Sequence, residues 1–153
     1  MKGSVFCATS LDGFIARPNG DVNWLPSASP GEDFGYEEFM STVDALVMGR
    51  NSYDVVRSFS EWPYKDKPVI VLSRQDLVIP EDLRSCVEVI KNKVEDLLPL
   101  FAERGWKHIY VDGGKVIQSF LNAGLIQDVI IARIPILLGE GIPLFGAIKH
   151  DIH

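Results

Sequence analysis

Ile109-Tyr110-Val111-Asp112-Gly113-Gly114-Lys115-Val116 is the stretch on which the fold turns. Three apolar residues read as a buried strand, an acid and two glycines stop it, and residues 115–123, closed by Gly124, read as a helix. The same grammar recurs on either side. Ala45-Leu46-Val47-Met48 stops at Gly49 and runs into a short helix over residues 50–58. Residues 68–72 form a wholly apolar strand ending in Ser73-Arg74, and residues 87–90 another, followed by a helix over 94–104 that Gly105 closes. Residues 2–8 open the chain as a strand broken at Asp12-Gly13. Tyr36, Phe39, Met40 and Val43 stand at helical spacing within residues 32–42. Residues 128–138 read as a long apolar strand interrupted by Pro135. The strands are continuous apolar runs alternating with helices, which predicts an α/β fold with a mainly parallel sheet covered on both faces.

The bulk numbers bound the rest. A length of 153 residues fits one domain, with 46% hydrophobic and 24% charged residues. A net charge of −6 argues against nucleic acid, whose phosphates demand a positive surface. No apolar run approaches the roughly 20 residues of a membrane span, and no leader pattern opens the chain, so a cytoplasmic protein is expected. Cys7 and Cys86 are expected as thiols rather than a disulfide. His108, His150 and His153 stand apart from each other and from the cysteines, so no metal site is expected.

In open α/β sheets, ligands bind beyond the carboxyl ends of the strands. Three successive strands here end in phosphate-compatible groups: Gly49-Arg50-Asn51-Ser52, Leu72-Ser73-Arg74, and Gly113-Gly114-Lys115-Val116. Glycine lets the backbone approach an anion, a helix start presents free N–H groups, and Arg or Lys supplies charge. One such turn is ordinary, but three in succession point to a nucleotide. Neither G-x-G-x-x-G nor G-x-x-x-x-G-K-[ST] is present, which disfavours a Rossmann dehydrogenase or an NTPase. The loop over residues 16–33 carries Trp24, Leu25 and Pro26 and is long enough to suggest function.

Taken in order, Ser10-Leu11-Asp12-Gly13-Phe14-Ile15-Ala16, Trp24-Leu25-Pro26, Val47-Met48-Gly49-Arg50-Asn51-Ser52-Tyr53, Val71-Leu72-Ser73-Arg74, Val111-Asp112-Gly113-Gly114-Lys115-Val116 and Leu138-Gly139-Glu140-Gly141-Ile142-Pro143-Leu144-Phe145 carry a likeness over nearly the whole chain. The sequence resembles the dihydrofolate-reductase-like superfamily, on its branch related to the C-terminal reductase domain of the bifunctional riboflavin-biosynthesis deaminase-reductase. The resemblance implies a three-layer α/β/α fold around a mostly parallel mixed sheet. It also implies an NADPH-dependent reductase acting on a nitrogen heterocycle, pterin or ribosylamino-pyrimidine in type, and a homodimer. Arg50, Ser73, Arg74 and Lys115 fall where that superfamily holds the 2′-phosphate, and Gly113, Gly114 and Val116 where the pyrophosphate lies. Ala8, Ile15 and Gly20 fall at the nicotinamide.

A cis bond between Gly113 and Gly114 is implied as well, at a cost of about 3 kcal/mol. The proton source is left among four acids. Asp33, with Glu37 one turn on, matches the folate-enzyme position, while Asp12 and Asp112 match the pyrimidine branch. The plain alternatives are a helix cap for Asp33 and a turn residue for Asp12. Relatives of this kind usually continue with one or two further strands, which would put residues 128–138 inside the sheet. A module that keeps the NADPH site without turnover is the remaining alternative.

Overall fold

A computed structural model describes residues 1–26, 33–65 and 67–152. The strands are β1 (Lys2–Thr9), β2 (Phe14–Ala16), β3 (Ala45–Gly49), β4 (Val69–Leu72), β5 (Val87–Ile90), β6 (His108–Asp112), β7 (Asp128–Arg133) and β8 (Ile142–Pro143). The helices are α1 (Tyr36–Thr42), α2 (Arg50–Arg57), α3 (Leu97–Glu103) and α4 (Gly114–Asn122). Six strands form one sheet in the order β5-β4-β3-β6-β1-β7, and every neighbouring pair in it is parallel. Among the described residues, the one antiparallel pairing is the separate β2–β8 ribbon.

Alternation along the strands builds the two faces. On β3, Ala45 and Val47 join Val111, Leu97, Phe101, Ile117 and Phe120 beneath α3 and α4. Leu46 and Met48 point the other way, into Phe39, Val43, Tyr53, Val56 and Tyr110 beneath α1 and α2. Both faces are covered, so the expected three-layer α/β/α arrangement holds.

Three elements differ from the sequence reading. The first helix begins at Tyr36, because Phe34 and Gly35 take positive φ (53° and 85°) and form a turn; Glu32 lies outside the described residues. Residues 94–104 divide into a 3-10 turn over Val94–Asp96 followed by α3. β7 stops at Arg133, since Pro135 has no N–H to extend the ladder. Ile134 still donates to Thr9 O (2.8 Å), but Ile136 donates back to Ile134 O in a tight turn. Among the described residues β7 stands at the sheet edge rather than inside, with Val129 and Ile130 exposed.

No described helix is long and apolar enough to cross a membrane, and no described cluster of His, Cys, Asp or Glu could hold a metal. Cys7 and Cys86 are not bonded to one another. His108 sits at the foot of β6, its Nε2 2.9 Å from Ser4 Oγ and its Nδ1 3.0 Å from Thr42 O, a structural position far from the strand tips.

Candidate functional site

Because the six strands are parallel, their carboxyl ends share one edge. Along that edge runs a groove of about 1700 Å³, larger than the roughly 300–1,000 Å³ of common small-ligand pockets. Every cofactor-type residue singled out in the sequence lines it.

The β5–β4–β3 half is cationic and polar. Gly49 ends β3 and caps α2, so Arg50, Asn51 and Ser52 form the first helical turn with their N–H groups free of partners in the preceding turn. Arg50 Nη1 donates to Gln75 Oε1, and its Nε stands 3.6 Å from Asp54. Beyond Leu72, Ser73 is 9% exposed, and its hydroxyl donates to Gln75 O (2.9 Å) while accepting from Gln75 N–H (3.2 Å). Arg74 is exposed beside it, and Lys91 and Lys93 follow β5 into the same half.

The centre is the glycine pair. No cis peptide occurs among the described residues, so the expected cis bond between Gly113 and Gly114 is corrected to trans. The sharp change of direction is made instead by Gly113 itself, at φ 87° and ψ 130°. A Cβ on Gly113 would collide with Ser52 Oγ, so the first and third phosphate-type turns touch. Gly114 is tight for a different reason: a Cβ there would stand 3.0 Å from Pro143 O and 3.3 Å from Ile15 Cδ1, where the β2–β8 ribbon presses on the start of α4. Lys115 is exposed and Val116 buried beside Gly49. Ile15 and Gly20, the latter at φ 87°, form the lip opposite.

The β6–β1–β7 half is apolar, aromatic and acidic. Phe6, Cys7 and Ala8 come from β1, Ala132 and Ile134 from β7, and Tyr36 from α1. Phe6 and Tyr36 meet edge to face at 5.3 Å. Asp112 ends β6 within this half, partly buried and on the side of the sheet that carries Tyr110. Burial raises its pKa, against a bond from the Gly113 N–H that lowers it. No cation pairs with it among the described residues. Its neighbours register the acid: burial, with Asp112 adding to it, pushes the Cys7 thiol up to about 12 and the Tyr36 phenol to about 12.

The other three acids are placed differently. Asp12 is exposed and does not line the groove; the Ser10 hydroxyl, and then the Gly139 N–H (2.7 Å) and Leu138 N–H (3.1 Å) that donate to its oxygens, hold its pKa down. Glu37 is exposed and does not line the groove. Asp33 is on the rim, where it accepts from Glu37 N–H (2.7 Å) and Gly35 N–H (3.0 Å), and these bonds hold its carboxyl down. Asp33 stands two residues before Gly35, which takes the N-cap position, so its carboxylate ties the approach turn to the first helical turn without being the cap itself.

A family model described as the RibD C-terminal domain matches residues 2–151. The chain belongs to that family. Among related proteins, a crystal structure from Shewanella sp. PV-4, provisionally described as a riboflavin biosynthesis protein, is 44% identical to this RibD C-terminal domain. Its TM-score is 0.90, over 99% of this chain and 86% of that one. The Bacillus subtilis (strain 168) protein YwjB, described as uncharacterized, is 32% identical over 160 residues, 98% of this chain and 86% of its own. Dihydrofolate reductase from Enterococcus faecalis, complexed with NADP(H), shares the fold at TM-score 0.67 and 20% identity, over 97% of this chain and 79% of that one. The RibD C-terminal domain here is thus dihydrofolate-reductase-like in architecture.

Sequence reasoning missed Phe6, Cys7, Tyr36 and Gln75 as groove residues. Tyr36 was legible only as a core position of a helix, and its orientation follows from the turn at Phe34–Gly35. For Gln75 the signal was its place directly after Ser73-Arg74.

Proposed function

We propose that the protein is an NADPH-dependent reductase that adds hydride to carbon and a proton to nitrogen across a C=N bond of a heterocycle. The observation that carries this reading is the single groove whose cationic half runs through the glycine pair into an aromatic half holding one unpaired, pKa-raised acid. The residues present fit the cofactor: Arg50, Ser73 and Arg74 would hold the 2′-phosphate with Lys115 nearby. Gly113 carries no Cβ to press on the Ser52 hydroxyl, which leaves its backbone bare at the turn, and Gly114 and Val116 lie in the first turn of the helix against which a pyrophosphate would lie. The dihydronicotinamide, when bound beside Ala8, Ile15 and Gly20, supplies the hydride. The likeness to a fold neighbour complexed with NADP(H) supports the same reading.

The chain's own part is orientation and the proton. Asp112 is held neutral more readily than an exposed acid, so its carboxyl can donate to a ring nitrogen as negative charge develops there. Phe6 and Tyr36 fix the ring plane and keep water from it. Asp33, already committed to two backbone N–H groups, serves the rim and the helix start.

Calorimetric titration tests the cofactor. NADPH should bind more tightly than NADH, and Arg50→Ala should weaken NADPH about ten- to a hundredfold while leaving NADH nearly unchanged, since a charged hydrogen bond contributes roughly 1.5–3 kcal/mol. Equal affinity for both cofactors overturns the reading. Tight NADPH binding without oxidation of NADPH by any pterin or aminopyrimidine would favour a non-catalytic module.

A further inference from the structure

Charge is divided along the groove by the order of the strands. Arg50, Arg74, Lys91 and Lys93 all belong to β3, β4 and β5 or their outgoing turns. Lys115 and Lys149 belong to the layer of α4, Lys149 donating its N–H to Asn122 Oδ1 at the far end of that helix (3.3 Å). Asp112 lies on the opposite face, with Tyr110. Among the described residues, no Lys or Arg from α1, β1, β6 or β7 lines the groove, and the ionisable groups there are Asp33, Asp112, Cys7, Tyr36 and Tyr110. Arg133 falls between Ala132 and Ile134, both groove residues, so strand alternation turns it outward.

We infer that the acceptor is a planar nitrogen heterocycle without a phosphate group, neutral or protonated on the ring, and not a phosphoribosyl derivative. This rests on the reductase reading above and specifies its substrate class. A phosphate carried into the acceptor half would meet the Asp33 carboxylate with no guanidinium or ammonium to neutralise it. A ring N–H or ring cation meets the acid Asp112 between Phe6 and Tyr36 edges. Phosphate sites are built from paired charge and free N–H groups, and in this groove the lining cations belong to the β3–β4–β5 half or to the layer of α4, none of them to α1, β1, β6 or β7.

The test uses the full chain saturated with NADPH, titrated with a matched pair: 5-amino-6-(ribosylamino)uracil and its 5′-phosphate. The unphosphorylated compound should bind about tenfold or more tightly than the phosphate, the order expected for two like charges across a partly screened cleft. Phe34→Lys places a cation on the rim at a residue that is 66% exposed and lines the groove, so folding is not at risk. That variant should improve the phosphate's affinity severalfold and leave the unphosphorylated partner nearly unchanged. Equal or tighter binding of the phosphate by the unmodified protein overturns the inference and leaves the reductase reading standing. So does failure of both compounds to bind the NADPH complex. Failure to bind NADPH at all overturns the reductase reading, and this inference with it.

Discussion

Gly113→Ala tests the centre of the groove most directly. Gly113 sits at φ 87° and ψ 130°, a conformation side-chain-bearing residues rarely adopt, at a cost of about 1–3 kcal/mol. The new methyl also meets the Ser52 hydroxyl inside contact distance, although Ser52 Cβ stands 3.5 Å away and does not clash. Displacing that hydroxyl off its rotamer adds about 0.5–1.5 kcal/mol. The sum is about 1.5–4.5 kcal/mol, and each kcal/mol lowers the melting midpoint by about 2–4 °C in a chain of this size. Gly124→Ala is the control: φ is 68°, but nothing lies within 4 Å of its Cβ, so only strain of about 1–2 kcal/mol applies. Urea unfolding of Gly113→Ala, Ser52→Ala and the double variant closes a cycle in which Ser52→Ala should recover about 0.5–1.5 kcal/mol. A Gly113→Ala protein as stable as Gly124→Ala, or one that Ser52→Ala fails to rescue, refutes the argument that the two turns are in contact.

Gly114→Ala has no φ strain but pushes Pro143 O and Ile15, so it should weaken NADPH by calorimetry while moving the unfolding midpoint less than Gly113→Ala does. Asp112→Asn should bind NADPH normally and lose turnover by roughly 10²–10⁴-fold, the worth of general acid assistance. The folded-state pKa of Asp112 is raised, so its contribution to stability is full below the ordinary carboxylate pKa and is lost as pH rises through the raised value. Chemical unfolding across pH should therefore show Asp112→Asn gaining on wild type toward neutral pH. Asp12 has the opposite sign: its lowered pKa gives stability above the ordinary carboxylate range that disappears as pH falls through the folded-state value. Asp12→Asn should cost stability at neutral pH, converge with wild type in acid, and leave turnover intact; a large loss of turnover would return Asp12 to the candidate acids.

Much of the fold was legible because burial on both faces makes strands such as Ala45–Gly49 and Val69–Leu72 uninterrupted apolar runs. The cationic half of the groove was legible for a related reason, since Gly49, Ser73-Arg74 and Gly113-Gly114 each follow or end a strand directly. The β2–β8 ribbon was not, because three residues and two residues carry no periodicity and become strands only by finding each other. Four acids looked interchangeable in sequence. What separates Asp112 from Asp12 is which one is drawn into the sheet edge and which one is occupied by the backbone of Leu138 and Gly139. Both outcomes depend on residues far away in the chain.

The long reach of these contacts has a kinetic consequence. Asp12 and Gly139 are 127 positions apart, Gly3 and Gln127 are 124 apart, and β1 takes its place only between β6 and β7. The β3–α2–β4–β5 segment pairs locally and can assemble early, whereas the apolar, acidic half of the groove waits on loop closures that span nearly the whole chain. Completion of the groove therefore depends on contacts between the two ends of the chain. A tightly bound dinucleotide would act on the completed groove, deepening the native basin by RT ln(1 + [L]/Kd) and slowing global opening instead of merely ordering a flap.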